Sequence, residues 1–84
     1  MFLHVTSIKS IDGFQLLLEF SDHVVKRVNL TNELYGEVFE PLKDPDFFKQ
    51  VRVNDETGTV EWPNGADFAP EFLYQLGQEI KQVA

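Results

Sequence analysis

Four large apolar side chains, Phe14, Leu16, Leu18 and Phe20, alternate with Gln15, Leu17 and Glu19. A period of two is a strand's period, and it turns all four toward one face. Turn signals bracket the run. Asp12-Gly13 precedes it, and Gly tolerates the positive φ of a tight hairpin turn. Ser21-Asp22-His23 follows it, and Asp and His enter the left-handed region more readily than most residues. Leu3, Val5, Ile8 and Ile11 read as an earlier strand whose alternation slips near Thr6 and Ser7, as a bulge would make it. Val24, Val28 and Leu30 share one face of a third strand. Lys26 falls among them and is expected at an edge, where a charge blocks unwanted pairing. The first third of the chain is thereby committed to a three-stranded meander.

The middle is irregular, with short helical turns. Asn29 or Thr31 is placed to cap a single turn through Leu34, which Gly36 ends. Asp44-Pro45-Asp46-Phe47-Phe48 has the order of a helix start: a capping oxygen, Pro at the first position, and an acid facing the dipole. A second hairpin is expected from Val51 and Val53, through Asp55-Glu56-Thr57-Gly58, to Val60 and Trp62. Pro63 lacks an N–H and ends the pairing, and Asn64-Gly65 makes another tight turn. Pro70 opens a final helix, with Ala69 or Asp67 near its cap. Phe72, Leu73, Leu76, Ile80 and Val83 recur at helical steps, leaving Glu71, Gln75, Gln78, Glu79 and Gln82 to water. Gly77 falls inside this stretch and is expected to permit close packing on the sheet. Together these elements predict an α+β fold. It has a small antiparallel or mixed sheet from two hairpin units, short helical turns between them, and one C-terminal helix packed on the sheet.

At 84 residues the expectation is a single domain, 1–84. The net charge of -7 is unevenly spread. Residues 1–30 balance Asp12, Glu19 and Asp22 against Lys9, Lys26 and Arg27, so the whole imbalance lies beyond residue 30. That excess disfavours direct binding to nucleic-acid phosphates, which basic residues drive. With no Cys there is no disulfide framework, thiol nucleophile or Cys-ligated zinc. No apolar run approaches the roughly 20 residues that span a bilayer, and no signal peptide is visible. A cytoplasmic location without membrane contact is expected.

The most distinctive stretch is Glu56-Thr57-Gly58-Thr59-Val60-Glu61-Trp62-Pro63-Asn64-Gly65-Ala66-Asp67-Phe68-Ala69-Pro70-Glu71. It resembles the bacterial family catalogued as domain of unknown function 2442, whose pattern matches at Gly58, Val60, Trp62, Asn64, Gly65, Asp67 and Pro70. The layout of Phe39, Pro41, Leu42, Asp44 and Phe48 is similar too, and the resemblance covers nearly the whole chain. His23 departs from it, standing where such chains usually carry Gly. The resemblance implies a small α+β domain. Some members look like the N-terminal part of longer helix-turn-helix proteins, and others sit beside a second small family in an arrangement suggestive of toxin–antitoxin pairs. On that pattern a DNA-related role would run through a partner.

The candidate interaction residues are Glu61, Trp62, Asn64, Gly65, Asp67 and Glu71. Trp62 could supply contact area, with Asn64 and Asp67 supplying polar specificity. Equally, Trp62 fills the core, Asn64-Gly65 makes a turn and Asp67 bonds backbone N–H groups before the helix. His4 and His23 lack metal-ligand spacing, and Asp55-Glu56 lacks a calcium-loop pattern. No phosphate-binding loop, nucleophile elbow or zinc-protease motif occurs, so no catalysis and no cofactor are expected. The first expectation is a non-enzymatic interaction module, antitoxin-like or regulatory, with a basic protein partner or a second copy paired through strand edges. The alternative is a small-molecule-binding or catalytic domain centred on the run from Trp62 to Asp67. A third reading is an orphan structural domain whose helix-turn-helix half lies on another polypeptide.

Overall fold

A computed structural model describes residues 3–80. Strands β1 (Val5–Asp12), β2 (Gln15–Phe20) and β3 (Val25–Asn29) form the expected antiparallel meander. Leu16, Leu18 and Phe20 are fully buried on its inner face, beside Val5 and Val28. Register breaks where the alternation slips, between Val5 and Ser7, and again between Ile8 and Ser10.

Two details of the meander differ from expectation. Asp12 pairs with Gln15, so the loop is Gly13 and Phe14, one residue later than Asp12-Gly13 suggests. Phe14 therefore leaves the strand, and its half-buried ring meets Phe48 edge-on at 5.3 Å. The other turn closes through His23, whose φ of 71° supplies the left-handed residue that Gly would otherwise give. Asp22 Oδ1 accepts from the Val24 N–H at 3.0 Å and steadies it.

Lys26 is not at an open edge. Helix α2 (Pro70–Leu76) packs against β3, and the chain then returns as β6 (Gln78–Glu79), pairing Glu79 with Lys26 and Gln78 with Arg27. Lys26 lies half-buried beneath α2. Its Nζ donates to the Tyr74 carbonyl at 2.7 Å and sits 3.7 Å from the Tyr74 ring centroid. A cation there satisfies a carbonyl in the helix's last turn and complements its dipole.

The helix is shorter than its apolar spacing suggests. It stops at Leu76 because Gly77 is extended, with φ -73° and ψ 152°. A Cβ on Gly77 would lie 2.9 Å from Lys26 Cβ and 3.0 Å from Val28 Cγ2. The chain passes too close to β3 for a side chain, and sheet pairing replaces helix beyond it. Gly77 thus permits close packing as expected, from outside the helix. Gln82 and Val83 lie outside the described residues.

Between the hairpins run two 3-10 turns, Thr31–Glu33 and Glu40–Lys43, and the short helix α1 (Pro45–Phe48). Asn29 Oδ1 accepts from the Thr31 N–H at 3.0 Å, and Asp44 Oδ1 caps α1 through the Asp46 N–H at 2.9 Å. The second hairpin, β4 (Arg52–Asn54) and β5 (Thr59–Glu61), is a separate two-stranded ladder. It joins the first sheet through the Val5 N–H, which donates to the Gly58 carbonyl at 2.8 Å. A Cβ on Gly58 would come within 2.8 Å of His4 Cβ, so only Gly fits that junction. One hydrophobic cluster spans both units. Val5, Leu18, Phe20 and Leu73 come from the meander and α2, and Phe48, Val60 and Trp62 come from the later half. All strand pairings are antiparallel, which gives the expected α+β architecture.

Candidate functional site

The run from Trp62 to Asp67 forms a tight hairpin on the end of β5. The Trp62 N–H donates to the Ala66 carbonyl at 2.9 Å, and the Gly65 N–H donates to the Trp62 carbonyl at 2.9 Å. Gly65 takes φ 88°, and an isolated antiparallel bridge joins Glu61 to Asp67.

Trp62 is 1% exposed. Its Nε1 donates to the Phe48 carbonyl at 2.9 Å, and its ring meets those of Phe48 and Phe68. It is a core residue and offers a partner no contact area. Asn64 works in two directions. Oδ1 accepts from the Ala66 N–H at 3.1 Å, and Nδ2 donates to the Val38 carbonyl at 2.9 Å, tying the turn to the loop before Glu40–Lys43. Asp67 is exposed and does not cap α2, whose N-cap is Ala69 with no side-chain bond. Glu61 is half-buried, with an oxygen 3.4 Å from Arg52 Nη2. Glu71 is exposed at the start of α2.

Burial of Trp62 leaves other rings at the surface. Phe39 stacks on Phe68 at 4.8 Å and 25°, and Phe68 stacks on Phe72 at 5.6 Å and 14°. Phe72 is 39% exposed, Val38 48% and Tyr35 70%. Sequence reading missed this ladder. The four-residue step from Phe68 to Phe72 was its visible signal, but Phe39 comes from a distant loop and reaches the ladder only in the fold, by stacking on Phe68. The segments that carry these rings hold Glu37, Glu40, Asp67 and Glu71, and residues 53–80 contain no Lys or Arg.

Two concavities are formed among the described residues, one of them reaching Glu61. One of about 380 Å³ is lined by Arg52, Val53, Asn54, Asp55, Glu56 and Glu61. Another, of about 610 Å³, runs past Lys9, Glu19, His23 and Glu79. Among the described residues no group of three or more His, Cys, Asp or Glu is placed to hold a metal ion. No described helix is long and apolar enough to cross a membrane.

Perturbed acidities belong to the meander and α2. Lys9, 3.1 Å away, holds the Glu19 carboxyl below its ordinary value by hydrogen bond and charge. The Tyr74 hydroxyl donates to Asp22 Oδ2 at 2.7 Å, which with the Val24 N–H lowers the Asp22 carboxyl. The same bond raises Tyr74.

The fold and this hairpin define a class: a small antiparallel α+β domain whose Trp-bearing turn is locked into the core. Residues 5–79 match the family described as a protein of unknown function, DUF2442, and the chain belongs to that family. No curated protein and no solved structure matches the chain.

Proposed function

We propose that the chain is a non-enzymatic, cytoplasmic protein-interaction module, antitoxin-like or regulatory in kind, that binds a basic protein partner. Its contact face is the loop carrying Tyr35, Val38 and Phe39 together with the turn and helix start carrying Asn64, Asp67, Phe68, Glu71 and Phe72. The supporting observation is the ring ladder at that face, with Phe72 and Val38 open to solvent on segments whose charges are acidic. Apolar surface rimmed by charge is what a transient interface presents. Steering by the acids raises the on-rate for a basic partner. Self-pairing along β1 is disfavoured by its two register breaks, which twist the edge away from a flat template.

The test is co-purification of the tagged chain from its native host at low salt, beside the variant carrying Glu37→Gln, Asp67→Asn and Glu71→Gln. Retention of a basic protein by the wild type alone, reversed by salt, is expected. Equal retention by the variant, or none by either, removes the reading.

A further inference from the structure

The ladder ends on a ring with a free side. Phe39, Phe68 and Phe72 stand in a row of near-parallel planes, and Phe68 covers one side of Phe72. No other described ring contacts Phe72, and 39% of the residue is exposed. Such a ring presents a flat apolar plane with negative charge density at its centre. Acids adjoin it in the chain: Glu71 precedes Phe72, and Asp67 precedes Phe68. Among the described residues neither carboxylate has an ion-pair partner. Glu40 is taken by Lys43, and Glu61 by Arg52.

This combination selects the chemistry of the occupant. A purely apolar partner would cover the ring but leave the unpaired carboxylates of the same segment without a counter-charge. A cation satisfies both. An ammonium is compact, strongly hydrated and has no plane to stack. A guanidinium stacks flat on a ring and donates through a planar fork that matches a carboxylate.

We propose that this face receives an arginine-bearing segment of the partner, with one guanidinium lying on Phe72 and paired with Asp67 or Glu71. The inference rests on the interaction-module reading and specifies its partner. Asn64 positions the neighbouring loop by holding the Val38 carbonyl, so that Val38 and Phe39 flank the ladder's far end. The segment's apolar residues contact Val38 there.

The probe is a short peptide of alternating arginine and leucine, with lysine and citrulline counterparts, titrated into the full chain and followed by amide chemical shifts. The arginine peptide is expected to shift Asp67, Phe68, Phe72 and Val38. The lysine peptide should bind about threefold more weakly, and the neutral citrulline peptide at least as weakly. Phe72→Ala should weaken the arginine peptide about fivefold. That residue lies outside the buried core, so the variant is expected to keep the wild-type shifts of the meander. Asp67→Asn with Glu71→Gln should weaken it about tenfold and flatten its salt dependence.

Equal affinity for the lysine peptide overturns the guanidinium assignment. Shifts that spare Phe68 and Phe72, or binding untouched by Phe72→Ala, overturn the location. If the arginine peptide produces no shifts while the chain still retains a salt-sensitive basic protein, this inference alone falls. If that retention is absent too, the underlying reading falls with it.

Discussion

Two clusters of aromatic and charged groups sit at opposite ends of α2, and they are used differently. At its C-terminal end Tyr74 is engaged through its ring, its hydroxyl and its carbonyl. Its ring meets Phe20 edge-on at 5.0 Å, its hydroxyl bonds Asp22, and Lys26 approaches both its ring and its carbonyl. At the N-terminal end Phe72 stacks on Phe68 and is 39% exposed, and among the described residues Asp67 and Glu71 lack ion-pair partners. The same residue types fasten the helix at one end and stay available at the other. Availability, more than residue type, separates a candidate interface from structural chemistry.

The sharpest break in this contrast comes from Trp62, which lies in sequence beside the open cluster yet belongs to the fastened one. Trp62→Ala is expected to cost about 3–5 kcal/mol in urea unfolding, through the cavity and the orphaned Phe48 carbonyl. A loss below about 1 kcal/mol would move Trp62 out of the core. Gly77→Ala comes next, at about 1–3 kcal/mol, because its methyl meets Lys26 Cβ and Val28 Cγ2 at contact distances too short to keep. Lys26→Met keeps the aliphatic stem and should cost about 1 kcal/mol for the lost carbonyl bond and ring contact, less at high salt. At the open end, Asp67→Asn is expected to leave stability within about 0.5 kcal/mol.

The fastened end should also show itself through pH. Asp22 is lowered in the folded chain, so its stabilising effect is full above the unfolded carboxyl's pKa and is lost as pH falls through the folded one. Tyr74 is raised, so its effect is present below the unfolded phenol's pKa and lost as pH rises through the folded one. Tyr74→Phe should move the Asp22 titration, followed by its carboxyl carbon shift, back toward the ordinary value. An unmoved Asp22 would show that the Tyr74 hydroxyl does not set it.

Much of the fold was legible because short-range rules govern it. The Leu16, Leu18 and Phe20 alternation, the slip near Thr6 and Ser7, and the Asp44-Pro45 start all depend on neighbours a few residues away. What escaped depends on distant chain. Nothing local to Gly77 says that side chains of β3 stand where its Cβ would go, so the apolar stripe read as a longer helix. Lys26 read as an edge charge because its partners, Tyr74 and Glu79, lie some fifty residues on. The reading in which Trp62 fills the core holds, since it is buried against Phe48, whereas Phe72, read as part of the core stripe, is exposed.

The bond from the Val5 N–H to the Gly58 carbonyl has a consequence for the order in which the molecule assembles. An isolated two-stranded hairpin is marginal in water, and β4 and β5 have three residues each. The meander is built from neighbouring segments and can close early, whereas the later hairpin must await a contact spanning more than half the chain. Its turn, and the face built on it, therefore borrow their rigidity from the first strand. Loss of this junction should loosen the second hairpin and the Asn64 turn built on it.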